Sequence, residues 1–228
     1  MEFKLLPGGT LTGEARVPGD KSISHRSIML GALADGVTRV TGFLEGEDAL
    51  ATVAAFRAMG VQIEGPEDGR VTIHGVGLKG LRAPSAPLDL GNSGTSIRLL
   101  SGLLAGQDFA SELTGDVSLC GRPMGRVIDP LQLMGAHIDS AEGGRPPLRI
   151  HGGDKLKAVH YDLPMASAQV KSCVLLAGLY ADGRTSVTEP APTRDHTERM
   201  LRGFGYPVTN DNGVISLVGG GSLQATDI

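Results

Sequence analysis

The stretch AFRAMGVQIEGPEDGRVTIHG, residues 55–75, reads as the end of a helix, a stop and a hairpin. AFRAM closes an amphipathic run and Gly60 breaks it. VQIE then alternates apolar and polar, EDG supplies a turn, and RVTIHG is a second short strand closing on Gly75. The same phrase returns as PLQLMGAHIDSAEGGRPPLRIHG at 130–152 and as MLRGFGYPVTNDNGVISLVGG at 200–220, with Gly135 and Gly205 at the stop. A phrase repeated in this way marks one supersecondary unit used several times.

Upstream of each hairpin a second phrase recurs. HRSIMLGALADGVTRVTG (25–42), SIRLLSGLLAGQDFASELTG (96–115) and QVKSCVLLAGLYADGRTSVTE (169–189) each read as an apolar helix stopped at Gly36, Gly106 or Gly183 and followed by a strand. The full unit is strand, helix, strand, helix, strand, strand. Three copies are expected at about 17–82, 83–157 and 158–224, with residues 1–16 outside the repeat. The first helix of each unit (IMLGALA, LLSGLLAG, VLLAGLYA) is apolar nearly all round and belongs inside. The second (DALATVAAFRAM, PMGRVIDPLQLM, HTERMLRGF) keeps a polar face. The expected class is mixed α/β (α+β): three pseudo-symmetric βαβαββ units, with buried helices in the centre and amphipathic ones over three small sheets.

Composition bounds the function. A net charge of −4 with no basic run argues against a nucleic-acid partner. Any bound anion must be captured locally. The N-terminus does not read as a signal peptide and no run approaches membrane-spanning length, so no membrane partner is expected. Cys120 and Cys173 have no metal spacing and fit free thiols in a reducing, cytoplasmic setting. His25, His74, His151 and His196 show no metal spacing either, and no metal is expected.

The functional signal stands at the starts of the three buried helices: GDKSISHR (19–26), LGNSGTSIR (90–98) and PMASAQVKS (164–172). Each is rich in Gly, Ser, Asn or Thr, and each carries Lys, Arg or Gln. Unpaired N–H groups and the positive helix end attract anions. Cations placed there oppose the dipole, and an anionic ligand gives them a reason. Ser and Asn alone are ordinary caps; three starts brought to one face by pseudo-symmetry are more. Two further arginines stand near the second helices. Arg122 precedes Pro123, which suits a first helical position, and Arg194 lies in TRDHTERM, where an ion pair with Asp195 or Glu198 competes with a ligand. Cys120 has no base near it in sequence and reads as packing.

PGDKSISHRS, GNSGTSIRLLSGLLAG, LCGRPMGRV, PMASAQVKSCVLLAGL and EPAPTRDHTERMLRGFG together resemble the 5-enolpyruvylshikimate-3-phosphate synthase family, in the branch often called class II. The resemblance implies transfer of enolpyruvyl from phosphoenolpyruvate to shikimate 3-phosphate, without metal or organic cofactor. It implies a fold of two lobes, each of three such units around parallel buried helices. It implies that Lys21 touches both substrates as the catalytic cation and that Ser22 and Arg26 grip shikimate 3-phosphate. Asn92 and Gly94 face phosphoenolpyruvate, which Arg122 also binds. Ser167, Ala168 and Gln169 hold shikimate 3-phosphate, with Gln169 also near phosphoenolpyruvate, and Arg194 is a further contact. Gly94 governs tolerance of glyphosate in this family, its missing methyl leaving room beside the ligand. Family members are nearly twice as long, and their acid–base carboxylates lie in the second lobe. The chain is thus expected to be the N-terminal lobe, inactive alone, with residues 1–16 packing on the second lobe as partner. A non-catalytic module that binds shikimate 3-phosphate or docks a second lobe is the alternative of a different class. The sibling transferase acting on UDP-N-acetylglucosamine is disfavoured, because SLCGRP does not match its cysteine loop.

Overall fold

The computed structural model describes residues 3–4, 6–10 and 12–228. The three buried helices are α1 (Lys21–Leu33), α3 (Gly94–Ala105) and α6 (Ala168–Gly178). Each starts on a side-chain cap that satisfies an orphan N–H of the first turn. Asp20 accepts from Ile23 N, Ser93 from Ser96 N and Ser167 from Val170 N. The amphipathic helices are α2 (Glu47–Ala58), α5 (Gly125–Leu133) and α7 (His196–Gly203), and a short α4 (Val117–Cys120) precedes α5.

The strands are β1 (Ala34–Val40), β2 (Gln62–Glu67), β3 (Arg70–Val76), β4 (Leu88–Asp89), β5 (Ser111–Thr114), β6 (Ile138–Ala141), β7 (Arg145–Ile150), β8 (His160–Asp162), β9 (Arg184–Thr188), β10 (Thr209–Asp211), β11 (Val214–Val218) and β12 (Leu223–Gln224). They form three four-stranded sheets of one plan: β12-β1-β3-β2, β4-β5-β7-β6 and β8-β9-β11-β10. In each the outer leading strand runs parallel to its neighbour and the other pairs are antiparallel. The repeat extends to register, since buried Thr38, Ser111 and Thr185 stand opposite Ile73, Ile150 and Leu217. The hairpin stops are as read, with Gly60, Gly135 and Gly205 at φ 87°, 96° and 77°.

Three local expectations change. The leading strand of the first sheet is β12, from the far end of the chain, and residues 17–20 form no strand. Gly36 and Gly183 lie beyond their helices, at φ 108° inside β1 and 102° just before β9; only Gly106 caps its helix. Pro123 is not a first helical position: α5 begins at Gly125, because the chain leaves α4 in a turn and the Met124 N–H is spent on Gly144 O at 2.7 Å.

The core follows from apolar helices with small residues at their crossings. Ile28, Met29 and Leu30 of α1, Leu99, Leu100 and Leu103 of α3, and Val174, Leu175 and Leu176 of α6 are all buried. Gly102 lets α3 and α6 touch backbone to backbone: a Cβ there would sit 2.1 Å from Cys173 O. Thr95 meets Gln169 at the helix starts and Gly102 meets Cys173 further along, so these helices run parallel.

Candidate functional site

The first two turns of α1, α3 and α6 share one face of the molecule. Between α3 and α6, Gln169 Nε2 donates to Thr95 Oγ1 at 3.0 Å, and Arg98 Nη1 donates to Gln169 Oε1 at 3.2 Å and to Gly94 O at 2.9 Å. Arg122 reaches the same place from the turn between α4 and α5. Its Nη2 donates to Asn92 Oδ1 at 2.5 Å and to Ser118 Oγ at 3.2 Å. Asn92 is held in turn by Asp116, whose Oδ2 accepts from Asn92 Nδ2 at 2.7 Å. That bond, then one from Leu119 N–H, keeps the Asp116 carboxyl below its ordinary range. Asp116 also caps α4, so one carboxylate fixes both the short helix and the loop that aims Arg122.

Arg98, Arg122 and Arg126 stand together, and no carboxylate lies in ion-pair range of them among the described residues. Burial first, then the two neighbouring guanidiniums, lower the Arg98 pKa. Like charges gathered at helix N-termini, with Asp116 acting on Arg122 only through Asn92 and from beyond ion-pair range, make a local anion site in a chain of net negative charge. Gly94 lies at its centre. A Cβ there would come 2.7 Å from Arg98 Nη1 and 3.1 Å from Arg122 Nη1. The expected clash with ligand is thus first a clash with the two guanidinium ends that would receive it.

On the α1 side, Lys21 is the first helical residue and its side chain is 54% exposed; Nζ lies 2.9 Å from Asp48 Oδ2 of α2. Ser22 is half-buried, and its carbonyl accepts from Arg26 Nη1 at 2.9 Å. Arg26 itself points inward. Its Nε donates to Thr197 Oγ1 at 2.6 Å and its Nη2 to Ser172 Oγ at 2.9 Å, so it braces α1 against α6 and α7. Burial lowers its pKa to about 10, with Glu198 and Asp20 opposing the shift. Ser167 and Ala168 are half-buried at the start of α6; Ser167 Oγ caps the helix and Ala168 O accepts from Ser172 Oγ at 2.6 Å.

Arg194 is exposed on the segment between β9 and α7, and it has no ion pair among the described residues. Glu198, one of its candidate partners, is committed elsewhere. Lys171 Nζ, on a side chain 1% exposed, lies 2.8 Å from Glu189 Oε2 and 2.7 Å from Glu198 Oε1.

A second buried chain joins α1, α2 and α3. His25 Nδ1 meets Thr52 Oγ1 at 2.8 Å, Thr52 Oγ1 meets Ser96 Oγ at 2.8 Å, and Ser96 Oγ donates to Ser93 Oγ at 2.6 Å. Burial lowers the His25 pKa to about 4, so the ring is neutral. Cys120 is no nucleophile site: its thiol contacts Gly115 O and Thr114 Oγ1. Buried Cys173 has its thiol pKa raised by desolvation.

The family model for EPSP synthase (3-phosphoshikimate 1-carboxyvinyltransferase) matches residues 5–228. The chain belongs to the EPSP synthase family. It is 67% identical to the 3-phosphoshikimate 1-carboxyvinyltransferase of Hydrogenovibrio crunogenus over 100% of this chain and 52% of that one. It is 69% identical to that of Methylococcus capsulatus over 99% and 52%. The EPSP synthase structure from Acinetobacter baumannii superposes with a TM-score of 0.93 at 66% identity, covering 95% of this chain and 49% of that one. The chain spans about half the length of the curated relatives it matches.

Arg98 and Lys171 enter the sequence reading of this EPSP synthase chain only as the cations of the second and third helix starts, without individual roles. Arg98 lies four residues after Gly94 and so on the same helix face. Lys171, read with the anion-facing cations, turns inward to Glu189 and Glu198 instead.

Proposed function

We propose that these 228 residues are the N-terminal lobe of an enzyme transferring enolpyruvyl from phosphoenolpyruvate to shikimate 3-phosphate. The observation that carries this is the cluster of Arg98 and Arg122 across Gly94, neither in an ion pair among the described residues, between the capped starts of α3 and α6. Two polyanions brought together need cations and helix ends fixed in advance. Arg98, Arg122, Asn92 and the Gly94 backbone form the half that takes phosphoenolpyruvate. Ser167, Ala168 and Gln169, with Ser22 and Arg194, form the half that takes shikimate 3-phosphate, and Arg26 braces the start of α1 behind them through Ser22 O, Ser172 and Thr197. Lys21 stands at the rim facing both, and exchanges Asp48 for ligand oxygens.

In the reaction the 5-hydroxyl oxygen bonds to C2 of phosphoenolpyruvate and gives its proton to a base, while C3 gains a proton from an acid. The tetrahedral adduct then loses a proton from C3 as the C2–O bond to phosphate breaks, which restores the C2–C3 double bond and releases phosphate. Several carboxylates around this face have structural duties: Asp116 holds Asn92, Asp20 caps α1, and Glu189 and Glu198 hold Lys171. The family resemblance assigns the proton-transferring groups to a second lobe, and with them closure over the ligands to exclude water. By itself the chain binds and does not turn over. Two free thiols, one buried and one partly buried, suit the reducing cytoplasm as its setting.

The test is phosphate release. The chain alone should release none, and mixing it with the C-terminal half of the Methylococcus capsulatus relative should start release. Lys21→Ala and Arg122→Ala should abolish that release while changing folding stability by no more than about 0.5 kcal/mol. Sustained release by the chain alone, free of host enzyme, would overturn the assignment of acid–base chemistry to a second lobe.

A further inference from the structure

Lys171, Glu189 and Glu198 form a buried ionic cluster that the ligand face does not use directly. Glu189 follows β9 immediately and Glu198 lies in the first turn of α7, so the cation grips both ends of the connecting segment EPAPTRDH. The grip has depth: the side chains of Lys171, Glu189 and Glu198 are 1%, 8% and 5% exposed. Thr193 Oγ1, from the middle of the segment, donates to the second oxygen of Glu189. The neighbouring residues add a rung, Ser172 Oγ meeting Thr197 Oγ1 at 2.7 Å, and Arg26 closes on both hydroxyls. Two cations and two carboxylates balance in this one buried region. Isolated ions there would be costly, whereas paired ones fix geometry; of the oxygens of the two carboxylates only Glu198 Oε2 is without a partner among the described residues.

We propose that Lys171 is a positioning residue: it clamps the 189–196 segment to α6 and so holds Arg194 at the ligand face. The clamp stands on the geometry alone; the service to Arg194 rests on the reading of Arg194 as a shikimate 3-phosphate contact. Two prolines, Pro190 and Pro192, already stiffen the near end. Nothing else among the described residues ties Thr193 or Arg194 by a side-chain bond.

The fold-retaining variant is Lys171→Met with Glu189→Gln and Glu198→Gln, which removes cation and carboxylates together. In this variant the backbone order parameters of Thr193, Arg194 and Asp195 should fall from about 0.85 to below about 0.6, with α3 unchanged. Lys171→Arg should keep them high. If the triple variant fails to fold, Glu189→Gln alone, which loosens one end, should give an intermediate fall. Order parameters unchanged in the folded variants would overturn the clamp. Titration of the same proteins with shikimate 3-phosphate reads the coupling. Arg194→Ala should weaken binding at least tenfold in the native background and less than twofold in the triple variant. Equal losses in both backgrounds would show that Lys171 does not act through Arg194. Absence of binding by the native chain would count against the ligand reading and leave the order parameters to decide the clamp.

Discussion

Pseudo-symmetry makes the junction of α1 with α3 and the junction of α6 with α1 equivalent places, yet they are built from opposite chemistry. At the first, a neutral imidazole, two serines and a threonine pass hydrogen bonds from α1 through α2 to the cap of α3. At the second, two cations and two carboxylates are buried together around a pair of hydroxyls. Symmetry of backbone therefore does not impose symmetry of means. The neutral junction orders a helix cap next to the proposed phosphoenolpyruvate half. The charged one secures a segment that carries its own exposed arginine.

The contrast breaks most sharply at Lys171. Lys171→Met leaves two carboxylates buried without their cation, and chemical unfolding should show a loss of about 3–5 kcal/mol at neutral pH. A loss below about 1 kcal/mol would mean that water reaches the cluster and that the two junctions differ little.

The neutral junction should respond to acid instead. Burial lowers the folded His25 pKa from its ordinary 6.5 to about 4, so below pH 6.5 the unfolded chain binds the extra proton. Its contribution is complete above pH 6.5 and drains away as pH falls toward 4, on the order of 3 kcal/mol in all. The difference in unfolding free energy between the native chain and His25→Asn, followed from pH 7 to 4, should shrink by that order. A difference flat with pH would show that the ring is already charged or solvated in the fold.

Thr52→Val is the milder probe. It removes the hydroxyl at the centre of the chain while His25 and Ser96 remain within 3.4 Å of each other. Thermal melts should report about 1–2 kcal/mol. A neutral result would mean that the two partners close the gap themselves.

Gly94→Ala should change folding least, within about 0.5 kcal/mol, because its methyl meets the movable ends of two arginines. Its effect belongs to the ligand: overpacking of about 1–3 kcal/mol should raise the glyphosate inhibition constant more than the phosphoenolpyruvate KM. The reconstituted enzyme with glycine should accordingly be glyphosate-sensitive. Equal shifts for the two ligands would mean that the methyl acts only by displacing Arg98 and Arg122.

Much of this was readable beforehand because the determinants are local. Gly60, Gly135 and Gly205 terminate helices by their own backbone freedom, and the hairpins after them follow from alternation and turn residues. The capped helix starts were readable for the same reason. What escaped depends on partners distant in sequence. Arg26 looks like an open ligand grip in SISHRS, and only the arrival of Ser172 and Thr197 turns its nitrogens inward. Lys171 reads as one of the anion-facing cations of a helix start until Glu189 and Glu198 close on it. Gly36 and Gly183 were read as helix stops, but the stop is made by the start of pairing in the following strands.

The first sheet is completed by a strand that the ribosome makes long after the other three. β1 pairs in parallel with Leu223 and Gln224, and Ala225 N and Ile228 N then bond to Asp35 O and Arg39 O. At roughly 5–20 residues per second, translation from the end of β1 to β12 takes on the order of ten to forty seconds. For that interval the β1 edge has open N–H and C=O groups, while the second and third sheets can finish as soon as their own hairpins emerge. Of the three sheets the first to begin is thus the last to close, and its free edge is where a chaperone, or a neighbouring nascent chain, has longest to act.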